Sequence, residues 1–211
     1  MTDLSYECSF DTVLVMDNWI SPNTYKCKIY FDIETDNGDE QNIAFERMKV
    51  LMEGVFQNSL FINMHNPLLQ VLAKKTEQRI ITLPTEPIDV IMAGIMFYKL
   101  SAIVEERISI QQIKLSSSQA DNIWVHFDLD FADSMGKMES EYHTVAKLEP
   151  WWFKSDPVTS DWFEVTKKDT KMHIQKASWE KDLQWPTEKA DAKKQKSKWK
   201  PTIIDGGKTQ H

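Results

Sequence analysis

The clearest pattern along the chain is an alternation. Tyr25, Cys27, Ile29, Phe31 and Ile33 alternate with Lys26, Lys28, Tyr30, Asp32 and Glu34. Side chains on a strand point to opposite faces in turn, so this period predicts a strand over residues 25–35 with one buried and one wet face. Residues 12–16 read as another strand. The link of residues 17–23, rich in Asp, Asn, Ser and Pro, reads as the turn that makes the two an antiparallel pair.

A helix is expected over residues 40–58, with Ile43, Met48, Leu51, Val55 and Phe56 on one stripe. A short helix over 68–76 and a strand over 79–83 follow. Thr85 is placed to cap the next helix, with Pro87 in its first turn. That helix, residues 88–105, is apolar nearly all round and should be the buried centre of the fold, despite Asp89 and Lys99.

Residues 107–115 alternate but slip once near Gln111-Gln112, the mark of a bulge. Residues 123–131 alternate again, with Val125, Phe127, Leu129 and Phe131 on one side and His126, Asp128 and Asp130 on the other. Strand pairs separated by helices predict an α+β fold, an antiparallel or mixed sheet with helices packed on one face. The periodicity fails after Asp133. The expected organisation is a core domain over 1–133, an aromatic-rich, irregular arm or small subdomain over 134–186, and a basic flexible tail over 187–211.

Charge sharpens that division. The chain carries a formal −7. Beyond residue 186, seven Lys against Glu188, Asp191 and Asp205 give +4, which leaves −11 for the rest. A body so acidic is poorly matched to phosphates, so nucleic acid is expected, if at all, through the Lys-rich tail only. The N-terminus lacks a signal peptide's charged and apolar regions, and Cys8 and Cys27 read as reduced thiols, buried and structural. The most apolar stretch, residues 88–104, is too short and too charged to span a bilayer. These features predict an intracellular, cytoplasmic protein without a membrane segment.

Candidate chemistry is sparse. Asp32 with Glu34, and Asp128 with Asp130, are i, i+2 carboxylate pairs, which on a strand face one way and suit a hard cation. The string Tyr30-Phe31-Asp32-Ile33-Glu34-Thr35 resembles the first motif of DEDD-family 3′–5′ exonucleases, whose paired acids hold two metal ions. The resemblance spans six residues, and the two further acidic motifs of that family are missing. From Asp128 the EF-hand spacing fails at its sixth position, where Asp133 replaces Gly. The five His have no partner at metal-ligand spacing, and no phosphate-binding glycine loop occurs. No cofactor and no metal site are expected; a metal-dependent nuclease built on Asp32, Glu34, Asp128 and Asp130 is the alternative.

Six of the eight Trp lie beyond Pro150. Trp151, Trp152 and Trp162 sit among Pro, Ser, Asp and Lys, and Trp199, Ile203 and Ile204 form an apolar island in the tail. Aromatic anchors in polar surroundings are the composition of a docking arm. The leading expectation is a non-catalytic assembly or interaction protein, a structural component of a larger complex such as a virion or phage-type assembly. It would dock on protein partners or its own copies through those six residues. The competing reading packs the rings onto the core as a second layer, and a nucleic-acid accessory protein using its tail is the third.

Overall fold

A computed structural model describes residues 4–17, 19–121, 123–131, 150–165, 170–174 and 179. The fold is α+β: a six-stranded mixed sheet with its long helices on one face. The strands are β1 (Leu4–Met16), β2 (Trp19–Ile33), β3 (Ser59–Asn63), β4 (Ile80–Leu83), β5 (Ile108–Ser117) and β6 (Trp124–Asp128). Their order across the sheet is β4-β3-β1-β2-β5-β6. β1–β2, β2–β5 and β5–β6 pair antiparallel, and β3 pairs parallel with both β1 and β4.

The first two strands are longer than the alternation predicts. β1 runs to Met16 and β2 starts at Trp19, so residues expected in the turn belong to the ladder, including Pro22. Pro22 is tolerated because β5 pairs with β2 only from Tyr25 onward, so the missing N–H faces no partner strand. Cys8 lies directly across from Cys27. The bulge is where the sequence places it: Tyr30 pairs with Gln112 and Phe31 with Ile110, leaving Gln111 unpaired.

One helix, α1 (Gly38–Lys49), is capped by Asn37, whose Oδ1 accepts from the Asp39 N–H at 3.0 Å. It continues as a π-helical segment, Val50–Phe56. Met48, Leu51, Val55 and Phe56 are buried as predicted, but Ile43 is exposed. α3 (Asp89–Val104) is the predicted central helix, buried along most of its length. The expected cap fails. The helix opens at Asp89 after an extended Ile88, with no side-chain cap, and the Thr85 hydroxyl donates to the Glu86 carbonyl instead.

β3 has no counterpart in the sequence reading. Its residues Ser59, Leu60, Phe61 and Ile62 are all buried, so no alternation marks it. Phe61 packs toward the long helices, while Leu60 and Ile62 join Val15 against Leu69 of the short helix α2 (Leu69–Lys75) on the opposite face.

Besides Ile43, three side chains of the predicted strands expected in the core are exposed: Ile33, Leu129 and Phe131. Ile33 is the last residue of β2. The predicted strand 123–131 stops at Asp128, whose Oδ1 accepts from the Phe131 N–H at 3.2 Å across a helical turn. That turn takes Leu129 and Phe131 out of the period of two. Among the described residues no helix is long and apolar enough to cross a membrane.

Candidate functional site

The carboxylates do not converge. Asp32 pairs with Ser109 on β5, whereas Asp128 pairs with Gln112, opposite Tyr30. One strand and two register positions separate them, on the order of 10 Å, against the ~4 Å spacing of ions in a two-metal site. Glu34 lies past the end of β2, its N–H bonded to the Arg107 carbonyl at 3.1 Å. Asp130 sits in the turn that Asp128 caps. Among the described residues no group of three or more His, Cys, Asp or Glu is placed to hold a metal.

Trp151 and Trp152 are not docking anchors. Both rings are buried in the main core, at 0% and 3% exposure, so neither reaches a partner. They form a 3-10 turn, Trp151–Phe153, packed on α3. The Trp151 indole N–H donates to the Thr82 carbonyl of β4 at 2.7 Å. The stretch that follows runs along the β4 edge: the Thr82 N–H donates to the Thr159 carbonyl, and the Thr82 hydroxyl to the Asp161 carbonyl at 2.7 Å. The competing core-layer reading is the correct one for these rings. Trp162 lies in β7 (Asp161–Val165), which pairs with β8 (Thr170–Ile174). Trp199, Ile203 and Ile204 lie outside the described residues.

Lys99 holds this strap. Its side chain is fully buried, and its Nζ donates to the carbonyls of Trp151, Lys154 and Asp156 at 3.0, 2.8 and 2.6 Å. Three acceptors match the three protons of an ammonium. Burial pushes its pKa down to about 7, against the pull of the Asp156 and Asp161 carboxylates. Lys154 closes the strap onto buried Asp161 at 3.1 Å. The Lys99 ammonium, the Thr82 hydroxyl and the Lys154 ammonium are thus all engaged in holding the strap.

The opposite face of the sheet differs. Beside α2 it is covered, but across β2, β5 and β6 its outward residues form register rows. Lys26, Ser116 and Trp124 make one row, Lys28, Lys114 and His126 the next, and Tyr30, Gln112 and Asp128 the third. Glu7 of β1 extends the middle row and pairs with Lys28 at 2.6 Å. The Nζ atoms of Lys28 and Lys114 lie 5.4 and 4.7 Å from the centre of the Tyr30 ring. Trp124 is 43% exposed, and a groove of about 630 Å³ is lined by Trp124, Lys26, Lys28, Ser9 and Glu7 with both cysteines. The sequence reading saw Lys26, Lys28 and Tyr30 on a wet face, but Lys114 joins them only through the pairing with β5.

The cysteines are free thiols, and the adjacent Cys8 thiol together with burial pushes Cys27 well above the usual thiol range. That disfavours a thiolate, the reactive form.

No protein family matches the chain, and no curated protein matches it. Similar solved structures include a catalytic-residue mutant of 6-pyruvoyltetrahydropterin synthase from Plasmodium vivax, with TM-score 0.40 and 10% identity, covering 61% of this chain and 98% of that one. The 6-pyruvoyl tetrahydropterin synthase of Plasmodium falciparum is similar too, with TM-score 0.39, 12% identity and coverages of 61% and 98%. Likeness at this level carries no function to this chain.

Proposed function

We propose that the chain is a non-catalytic assembly protein that docks on protein, beginning with its own copies, through the end of the sheet where β1 turns into β2. The observation behind this is three large apolar side chains at that end: Trp19 is 45% exposed, Ile20 56% and Ile123 66%. Gln119 reaches Ser21 Oγ and the Pro22 carbonyl from the β5–β6 turn, which puts Ile123 at the same end as the hairpin tip.

The free edge of β2 does not invite strand addition. Thr24 turns its N–H and carbonyl toward Ser118, so Pro22, two residues earlier, turns the same way with no N–H to offer and a carbonyl that Gln119 already occupies. Docking therefore rests on side chains. Each of the three contributes about 1.5–3 kcal/mol if fully buried, enough for weak association that repetition in an assembly strengthens. Trp199, Ile203 and Ile204 are the additional anchors this reading assigns to the tail.

Light scattering of the purified full chain tests it. The wild type is expected to exceed the protomer mass of 24.7 kDa and to grow with concentration. Trp19→Ser with Ile20→Ser should return it to the protomer mass without changing its melting temperature. A wild type that stays monomeric at high concentration refutes the reading.

A further inference from the structure

We propose that the open sheet face across β2, β5 and β6 binds single-stranded nucleic acid. Lys26, Lys28, Lys114 and His126 would meet phosphates, and the rings of Tyr30 and Trp124 would stack on bases.

Lys28, Lys114 and His126 are direct cross-strand neighbours. Like charges opposite one another destabilise a sheet, and a sheet selected only for stability would alternate the signs. Here two lysines stand side by side, and among the described residues Glu7, at the β1 end, is the one acid ion-paired with them. Lys26 adds a third positive charge one row away. Of the remaining acids of this face, Asp128 is also one row away and caps its own turn, Asp32 is opposite Ser109, and Asp11 accepts from Thr24 and Gln57. The row thus carries positive charge that an anion would neutralise.

The chain's net charge is −7. At physiological salt the screening length is about 8 Å, so a phosphate seated on the row responds to the lysines touching it far more than to acids across the molecule. Trp124 stands in the row on one side of the lysines and Tyr30 in the row on the other. Basic side chains tracking a backbone, with aromatic faces beside them, are the components of sequence-tolerant single-strand binding. A rigid duplex would not turn its bases toward these rings. The hairpin tip takes no part, so this inference and the docking reading fail separately.

The test uses the full chain and fluorescein-labelled oligothymidylate, followed by anisotropy across a salt series. Three lysines meeting phosphates predict a slope of log affinity against log salt of about −2, since each contact on a single strand contributes about −0.7. Lys28→Glu with Lys114→Glu should flatten that slope to about −0.7 and lower affinity at least tenfold. Lys28→Gln with Lys114→Gln gives the same reading should charge reversal impair folding. Trp124→Ala should weaken binding about tenfold with the slope unchanged. The tail's lysines are present in every variant, so binding that survives the lysine substitutions belongs to the tail and overturns the proposal. Absence of binding in low salt overturns it as well. An unchanged affinity in Trp124→Ala, with heparin competing as well as the oligonucleotide, makes this a generic polyanion surface and refutes the single-strand assignment.

Discussion

Trp151 and Trp152 stand among Pro, Lys, Ser and Asp and are buried, whereas Trp19 and Trp124 stand in β-strands and are exposed. Local polarity points the wrong way for Trp151, Trp152 and Trp124; only Trp19, set among Asp, Asn, Ser and Pro, follows it. What decides is the layer opposite. The strap lies against α3 and the β4 edge, where Thr82 and Lys99 supply bonding partners, so its polar residues can follow the backbone inward. Trp124 is on the sheet face away from the long helices, and Trp19 is at a hairpin tip that no layer of the described residues covers. A tryptophan's neighbours in sequence describe its strand or turn; its neighbours across the fold decide whether it is core or contact surface.

The comparison can be broken most sharply at Trp151. Trp151→Ala should cost about 3–5 kcal/mol, and it also leaves the Thr82 carbonyl without its indole donor. Chemical denaturation measures this, and a loss below 1 kcal/mol would return the ring to the surface. Phe127→Ala on β6, under α3, should fall in the same range of about 3–5 kcal/mol.

Next in size comes Lys99→Met, at about 3 kcal/mol, from carbonyls stripped of their donor. The same residue gives a pH signature. Its folded pKa of about 7 lies below its ordinary 10.5. Between those values the unfolded chain holds the extra proton, so stability from this group rises with pH across that window and is flat below it. The difference between wild type and Lys99→Met should show a slope on the order of 1 kcal/mol per pH unit. A wild type and variant that run parallel from pH 7 to 10 would mean the amine keeps its proton when folded.

The exposed pair anchors the other end of the comparison. Trp19→Ala and Trp124→Ala should each change stability by no more than about 0.5 kcal/mol. A larger loss at either would make it core. Smallest of all, Mg²⁺ or Mn²⁺ should leave the melting temperature of wild type and Asp32→Ala alike; a metal-dependent rise lost in the variant would restore the carboxylate pair to candidacy.

Much of the sheet was legible. The β2 alternation, the apolar α3 and the bulge at Gln111 all express local periodicity, which the sequence carries directly. β3 was hidden because α2 covers its second face, which erases alternation. The end of β6 was misplaced because Asp128 caps a turn rather than continuing the strand. The candidate site was the least legible part. Asp32 and Asp128 share a face, and only the register of β5 shows them to be too far apart to cooperate. The same register gathers Lys28, Lys114 and His126, which the sequence scatters over almost a hundred positions.

The strap also sets an order of events during synthesis. α3 leaves the ribosome with Lys99 in its apolar surface, some fifty residues before the Trp151, Lys154 and Asp156 carbonyls that receive it. Until residue 161 has emerged, that helix presents an open apolar face with a charge at its centre, and β4 presents a bare edge. Contacts this far apart in sequence form late. A chain that stops before Pro150 would therefore be an arrested folding intermediate, prone to aggregate.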